Sequence, residues 1–390
     1  MPLTQQPIST QHSAIDLLGV DHLKAICADN GPFVTVFLPA SHPGSADLPH
    51  TGRMKTILRE AAAEIEQRRF TDPIEQLLKP LEELAGDPAM LSGGSDSVMY
   101  VSPNLAHHFR LLSPMKEQLT VASHPHITPM LGHLIPDKEV YVLAISKKLL
   151  RLGRWENGVC AEVPLPVGIV KSFEESLLLD QPDHDLQNRA SSGPAGQHGA
   201  VAAARFGTGA ERELEHERLR QYLRRADREL CKVLKGAPLV LVSVAEEMAA
   251  YQSVTEHARV LSAHPTSPEL LKWTQLGKLL EQAVLADRKE QANKVLVEIR
   301  ETKRRDHVVS GVRQVLEAAH EGRVHKLLIG MDAEEEGLLG PSFPVDASRL
   351  EGKQDLINAA AVETIRMGGE VFVVDGQALG PVGCAAILRY

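Results

Sequence analysis

Two hydrophobic patterns take turns along the chain, short unbroken apolar runs and stripes that recur every three or four positions. The run Phe33-Val34-Thr35-Val36-Phe37-Leu38 follows Asn30-Gly31-Pro32 and stops at Pro39, which predicts a buried strand. A helical pattern over 15–28 precedes it. Behind it, 54–69 places Ile57, Leu58, Ala61, Ala62 and Ile65 on one side of an amphipathic helix. A second helical stretch, 74–85, leads through Ser92-Gly93-Gly94-Ser95 to a second strand at 97–101. These elements define an α/β domain ending near residue 130.

From 139 to 163 the chain reads as an antiparallel meander, with Asn157-Gly158 between two β-prone runs as the hairpin signal. Periodicity is then lost from 181 to 209, where Gln, Asn, Ser, Gly, Pro and His dominate. A loop of that length is either functional or a linker. A long helix over 211–235 follows, with Leu219, Tyr222, Leu223, Ala226, Leu230, Val233 and Leu234 on one side, then Gly236-Ala237-Pro238 and a strand at 239–244. The last third predicts helices over 267–300, 307–319 and 355–367, strands at 326–330 and 370–374, and an acidic loop at 332–337. Strand and helix alternate there, so a further α/β layer is expected.

Composition narrows the function without naming it. The 42 Lys and Arg against 51 Asp and Glu give a net charge of -9, which excludes binding of nucleic acid by bulk charge and leaves a local basic surface open. No window reaches the about 20 apolar residues of a membrane span, and Met1 to His12 lacks a signal pattern, so a cytoplasmic chain without membrane contact is expected. The four cysteines are widely spaced and read as small buried hydrophobes. Histidines at 107, 108, 124, 126, 184 and 198 lack zinc-site spacing; no G-x-S-x-G elbow, P-loop or G-x-G-x-x-G is present, and neither metal nor cofactor is expected. Gly368-Gly369 reads as a helix C-cap.

Two features carry candidate chemistry. The loop centre, Ser191 to Ala200, holds Gly196 and Gln197 among small residues that let a backbone approach another molecule closely; a flexible linker has the same composition. Between Arg205 and Lys235 stand nine basic and six acidic residues, and Arg220, Arg224 and Arg228 recur every fourth position, so they form one row on the helix. Such a row can follow a phosphate backbone, or it is a solvated face laced by ion pairs.

The C-terminal Leu379-Gly380-Pro381-Val382-Gly383-Cys384-Ala385-Ala386-Ile387-Leu388-Arg389-Tyr390 resembles the end of the third domain of archaeo-eukaryotic class 1 peptide-chain release factors. Asn30 to Pro39 is similar to the first strand of their N-terminal domain, and the Gly196-Gln197 loop, Arg205-Phe206 and charged helix follow the order of their Gly-Gly-Gln domain. The chain thus looks like one of the bacterial relatives of these factors. The resemblance implies an α/β chain of three domains: an N-terminal α/β domain over 1–130, a ribonuclease-H-like middle domain over 131–264 and a ribosomal-protein-like α/β sandwich over 265–390. It also implies a ribosome-associated factor of the rescue or hibernation type, touching ribosomal RNA and the tRNA site, with the oligomeric state open. The alternatives are a peptidyl-tRNA ester hydrolase using Gly196 and Gln197, or a binder of non-ribosomal RNA. Ala195 stands where the first Gly of the tip would be, and its Cβ restricts positive φ. The codon-reading Asn-Ile-Lys-Ser motif, expected near Thr51 to Lys55, is absent; Arg53 and Lys55 remain as candidate RNA contacts, beside Arg205 and the helix row.

Overall fold

The computed structural model describes residues 17–29, 31–40, 50–68, 75–86, 96–111, 114–134, 139–156, 158–179, 208–257, 259–302, 305–337 and 354–390. It is a mixed α/β chain with several sheets. Two compact units form: one is 138–283, the other joins 1–137 to 284–390.

In the first stretch, α1 (Val20–Ala28), β1 (Phe33–Leu38), α2 (His50–Arg68), α3 (Glu75–Ala85), β2 (Ser97–Val101), β3 (Ala106–Arg110) and β4 (Gln118–Ala122) follow in order. The sheet runs β3-β2-β1-β4 with every pair antiparallel. Every residue of β1 is buried, as its unbroken apolar run requires, because the sheet is covered on both sides. Val34, Val36 and Leu38 meet Met54, Ile57 and Leu81 of the helical layer; Phe33 and Phe37 face the opposite way, towards Leu23 and Ile26 of α1.

The unit 138–283 starts with β5 (Val140–Ile145), β6 (Leu150–Glu156), β7 (Val159–Val163) and α4 (Phe173–Leu179). It continues with α5 (Thr208–Leu234), β8 (Leu239–Ser243), α6 (Ala245–Val254) and β9 (Val260–Pro265). Strand order is β7-β6-β5-β8-β9, antiparallel through the expected meander and parallel across β5, β8 and β9. Gly158 has φ 77, the left-handed backbone that an Asn-Gly hairpin demands. Leu143, Ile145, Leu152 and Leu241 lie under the apolar side of α5, which runs through Leu219, Leu223 and Leu230. On the reverse face Gly153 leaves room for the Trp273 ring: a Cβ there would stand 2.4 Å from Cζ3. Trp273 opens α7 (Trp273–Glu301), inside which the boundary between the units falls. That helix starts six residues later than the pattern predicts.

The last stretch holds β10 (Val308–Ser310), α8 (Val312–His320), β11 (Val324–Gly330), β12 (Glu336–Gly337), β13 (Gln354–Asp355), α9 (Leu356–Arg366), β14 (Glu370–Val374) and β15 (Cys384–Leu388). The helix expected over 307–319 therefore begins at Val312, after a short strand. The main sheet is β10-β15-β11-β14, with β11 and β14 parallel. Leu327, Ile329, Val362 and Leu388 enter the same core as Phe33, Phe37 and Tyr100, so the first and last stretches share one interior. Polar bonds cross it. Asn358 Oδ1 accepts from the backbone of Ile127 and Thr128 at 2.8 and 3.2 Å, and its amide donates to Pro125 O at 2.9 Å. Arg366 donates to Cys27 O at 2.9 Å and to Glu363 at 2.6 Å.

Candidate nucleic-acid interface

The sequence-predicted candidates fall into three groups. Gly196, Gln197 and Arg205 lie outside the described residues. Arg53 and Lys55 sit on α2 and point to different surroundings. Arg53 folds back on its own unit: Nε donates to Glu117 at 2.7 Å, Nη2 stands 2.6 Å from the same carboxylate, and Nη1 donates to Pro39 O at 3.1 Å. Its side chain is 12% exposed, so it would meet a phosphate only by giving up Glu117. Lys55 is exposed.

The third group is on α5. Leu219, Tyr222, Leu223, Ala226, Leu230 and Leu234 of its apolar stripe are buried and Val233 is half-buried, while Arg220, Arg224 and Arg228 are exposed on the other side of the helix. Glu217 stands 3.6 Å from Arg220, an exposed i,i+3 pair of the kind that contributes little and yields readily to a competing anion. Charge is also graded along the helix. Glu211, Glu213, Glu215 and Glu217 precede the cluster Arg218, Arg220, Arg224, Arg225 and Arg228, and Glu211 in the first turn suits the positive end of the macrodipole.

Polar contacts add to the buried apolar stripe in holding this rod in place. Asp227, almost fully buried, accepts from Tyr251 Oη at 2.7 Å, Thr255 Oγ1 at 2.7 Å and the backbone of Glu256 at 2.8 Å, and so ties α5 to the end of α6. Burial pushes the Tyr251 hydroxyl well above its ordinary value, so it stays a donor. Lys147 bridges Glu215 at 2.9 Å and Glu246 at 3.4 Å, and those carboxylates raise its pKa, the hydrogen bond to Glu215 most of all. Tyr222 Oη donates to Val170 O at 2.9 Å. The sequence reading passes over Asp227; its signal is a carboxylate set within the apolar stripe between Ala226 and Leu230.

Among the described residues no group of three or more His, Cys, Asp or Glu is placed to hold a metal ion, and no helix is long and apolar enough to cross a membrane. His124 and His126 are buried, and burial lowers both to about 4. Cys27, Cys160 and Cys384 are buried thiols, with Cys231 half-buried beside Asp227.

The unit thus combines a five-stranded sheet with a covering helix that carries an outward arginine row. Residues 140–323, a little under half of the sequence, match the model described as bacterial archaeo-eukaryotic release factor family 3, and the resemblance to bacterial relatives of those factors holds there. No curated protein matches. Among solved structures, Pelota of Archaeoglobus fulgidus is 13% identical with a TM-score of 0.35, covering 96% of this chain and 93% of that one. The archaeal translation termination factor aRF1 is 12% identical with a TM-score of 0.22, over 95% and 96% of the two chains. Dom34 of S. cerevisiae, described as a translation termination-like factor involved in RNA quality control, is 9% identical with a TM-score of 0.30, over 96% and 94%. Identities this low bear on fold alone, and with such TM-scores the function rests on the residues themselves.

Proposed function

We propose that this protein is a ribosome-associated translation factor of the release-factor type, acting in rescue or hibernation by occupying a tRNA site. The observation that carries the reading is the exposed row Arg220, Arg224 and Arg228 on α5, inside the stretch that matches the release-factor family. Guanidinium groups spaced one helical turn apart suit the phosphates of a backbone running alongside. In this reading 1–130, 131–264 and 265–390 act as the three domains. The order β7-β6-β5-β8-β9 supports the ribonuclease-H-like assignment of the middle one, and the mixed sheet of β10, β15, β11 and β14 is offered as the ribosomal-protein-like sandwich. Gly196, Gln197 and Arg205, outside the described residues, are the contacts this reading assigns to the 181–209 segment. Lys55 supplies a contact from the first domain; Arg53 takes part once Glu117 is displaced.

Sedimentation of tagged protein with ribosomes from growing and starved cells tests this. The expected result is co-migration with 70S particles or a subunit, reduced at least tenfold by R224E/R228E. Absence from every ribosomal fraction in both conditions would overturn the reading. Release of labelled peptide from ribosomal complexes, lost in Gln197→Ala, would assign the tip a hydrolytic role in addition to occupancy.

A further inference from the structure

On the unit 138–283, β6 and β7 open onto a cleft of about 590 Å³ whose lining shares no residue with the arginine row. Lys148, Arg151 and Lys171 line it as cations, with Glu162 as the one carboxylate of the lining, so its charge opposes the net -9 of the chain. Its wall is the segment Val163 to Ile169, including Pro164, Pro166 and a Val167 that is 99% exposed. Such a volume lies in the range of small-ligand sites.

Arg151 is presented with care. Its guanidinium carbon lies 4.1 Å from the centre of the Trp273 ring, and Nη1 donates to Leu271 O at 3.4 Å. Trp273 in turn donates to Glu162 at 3.3 Å and occupies the space that a Cβ at residue 153 would take. A guanidinium stacked on an indole is fixed in plane with its N–H groups at its edges, and a phosphate would take the edge at which Nη2 now stands 3.9 Å from the exposed Glu162 carboxylate. Lys148 and Lys171 are exposed, and Leu150 N donates to Lys171 O at 2.7 Å, which joins the two segments that carry them.

We propose that this cleft binds a nucleotide of single-stranded RNA, the base against Pro164, Pro166 and Val167 and the phosphates on Lys148, Lys171 and Arg151. The wall decides against a peptide of matching charge. Prolines have no N–H, so a peptide backbone finds few donors there, whereas their rings offer flat apolar faces to a base. The cations decide against an uncharged ligand. This site shares no residue with the arginine row and goes beyond the ribosomal reading, which it does not require.

The test is fluorescence anisotropy of a short labelled single-stranded RNA with the full chain, in the native background and in R224E/R228E. K148A/K171A is expected to weaken binding at least about tenfold in both backgrounds and to lower the salt dependence by about two ions. R151K, which keeps the charge and loses the planar fork, is expected to weaken it several-fold. Both lysines are exposed, so the double variant reports on the cleft even if R151K disturbs Trp273. Unchanged RNA affinity of K148A/K171A in the R224E/R228E background would overturn the proposal. So would competition by free AMP or by a Glu- and Leu-rich peptide at concentrations as low as those of the RNA. Loss of ribosome co-migration with this RNA binding intact would sink the ribosomal reading alone.

Discussion

Asn358 interrupts the apolar run Leu356 to Val362, and its amide joins three backbone groups of residues 125, 127 and 128. Asn358→Leu fits the run and strands those groups in the core. Since an unmet buried donor or acceptor costs about 1–3 kcal/mol, the variant should lose roughly 3 kcal/mol, seen as a lower urea midpoint at unchanged slope. The histidines nearby set the response to acid. His124 and His126 are held neutral by burial, at about 4 against an ordinary 6.5, and the charge of Arg366 adds to this for His124. An unfolded chain protonates both as the pH falls through 6.5, while the folded chain does so only near 4. Stability is therefore complete above 6.5 and declines from there towards 4, by roughly 1.4 kcal/mol per pH unit for each histidine. Urea midpoints at pH 7 and 5 check this: the fall should be shallower in His126→Gln, and an equal fall would remove His126 from the account.

Among the elements, α5 shows what sequence can and cannot disclose. Its apolar stripe and its arginine row were both readable, because helical spacing alone sorts residues onto two sides. Its anchoring was not, because Asp227 meets Tyr251 and Thr255 only after α6 has packed, and nothing local marks that meeting. Asp227→Ala is expected to cost about 2–4 kcal/mol by orphaning the Glu256 N–H and two hydroxyls, while Arg228→Ala, one residue away on the exposed side, should leave the urea midpoint within about 0.5 kcal/mol. Strands β1, β2, β5 and β8 were legible as unbroken apolar runs. The sequence reading missed β3, whose Ala-His-His-Phe-Arg lies half-exposed on a sheet edge, and β9, whose Ser262 and His264 interrupt its apolar pattern. It also missed α6, which carries almost no amphipathic contrast: Glu247 is buried along with Ala250 and Tyr251. The cleft beside Arg151 left no trace either, since Gly153, Glu162 and Trp273 come from three separate segments.

At the scale of the molecule, the chain leaves its first stretch at 137, builds a separate unit, and returns at 284 to complete the core it left. The shared interior is closed by Arg366, whose guanidinium reaches Cys27 O at 2.9 Å and Asp29 O at 3.4 Å while Glu363, almost wholly buried, balances its charge at 2.6 Å. Residues more than three hundred positions apart thus stabilise one another, and their stability should be lost together. Arg366→Met removes the charge but leaves Glu363 buried without its partner, a loss of about 3–5 kcal/mol for a broken buried pair. Hydrogen exchange followed by mass spectrometry is expected to show faster exchange in β1 and β2 and, to the same extent, in β11 and β15. Peptides from β5, β6 and β8 should be unchanged, because their core of Leu143, Leu152, Leu223 and Leu241 draws on no residue outside 138–283. Acceleration confined to α9 and β11 would show that the two distant stretches are stable independently, and the single interior would then be a contact between two domains.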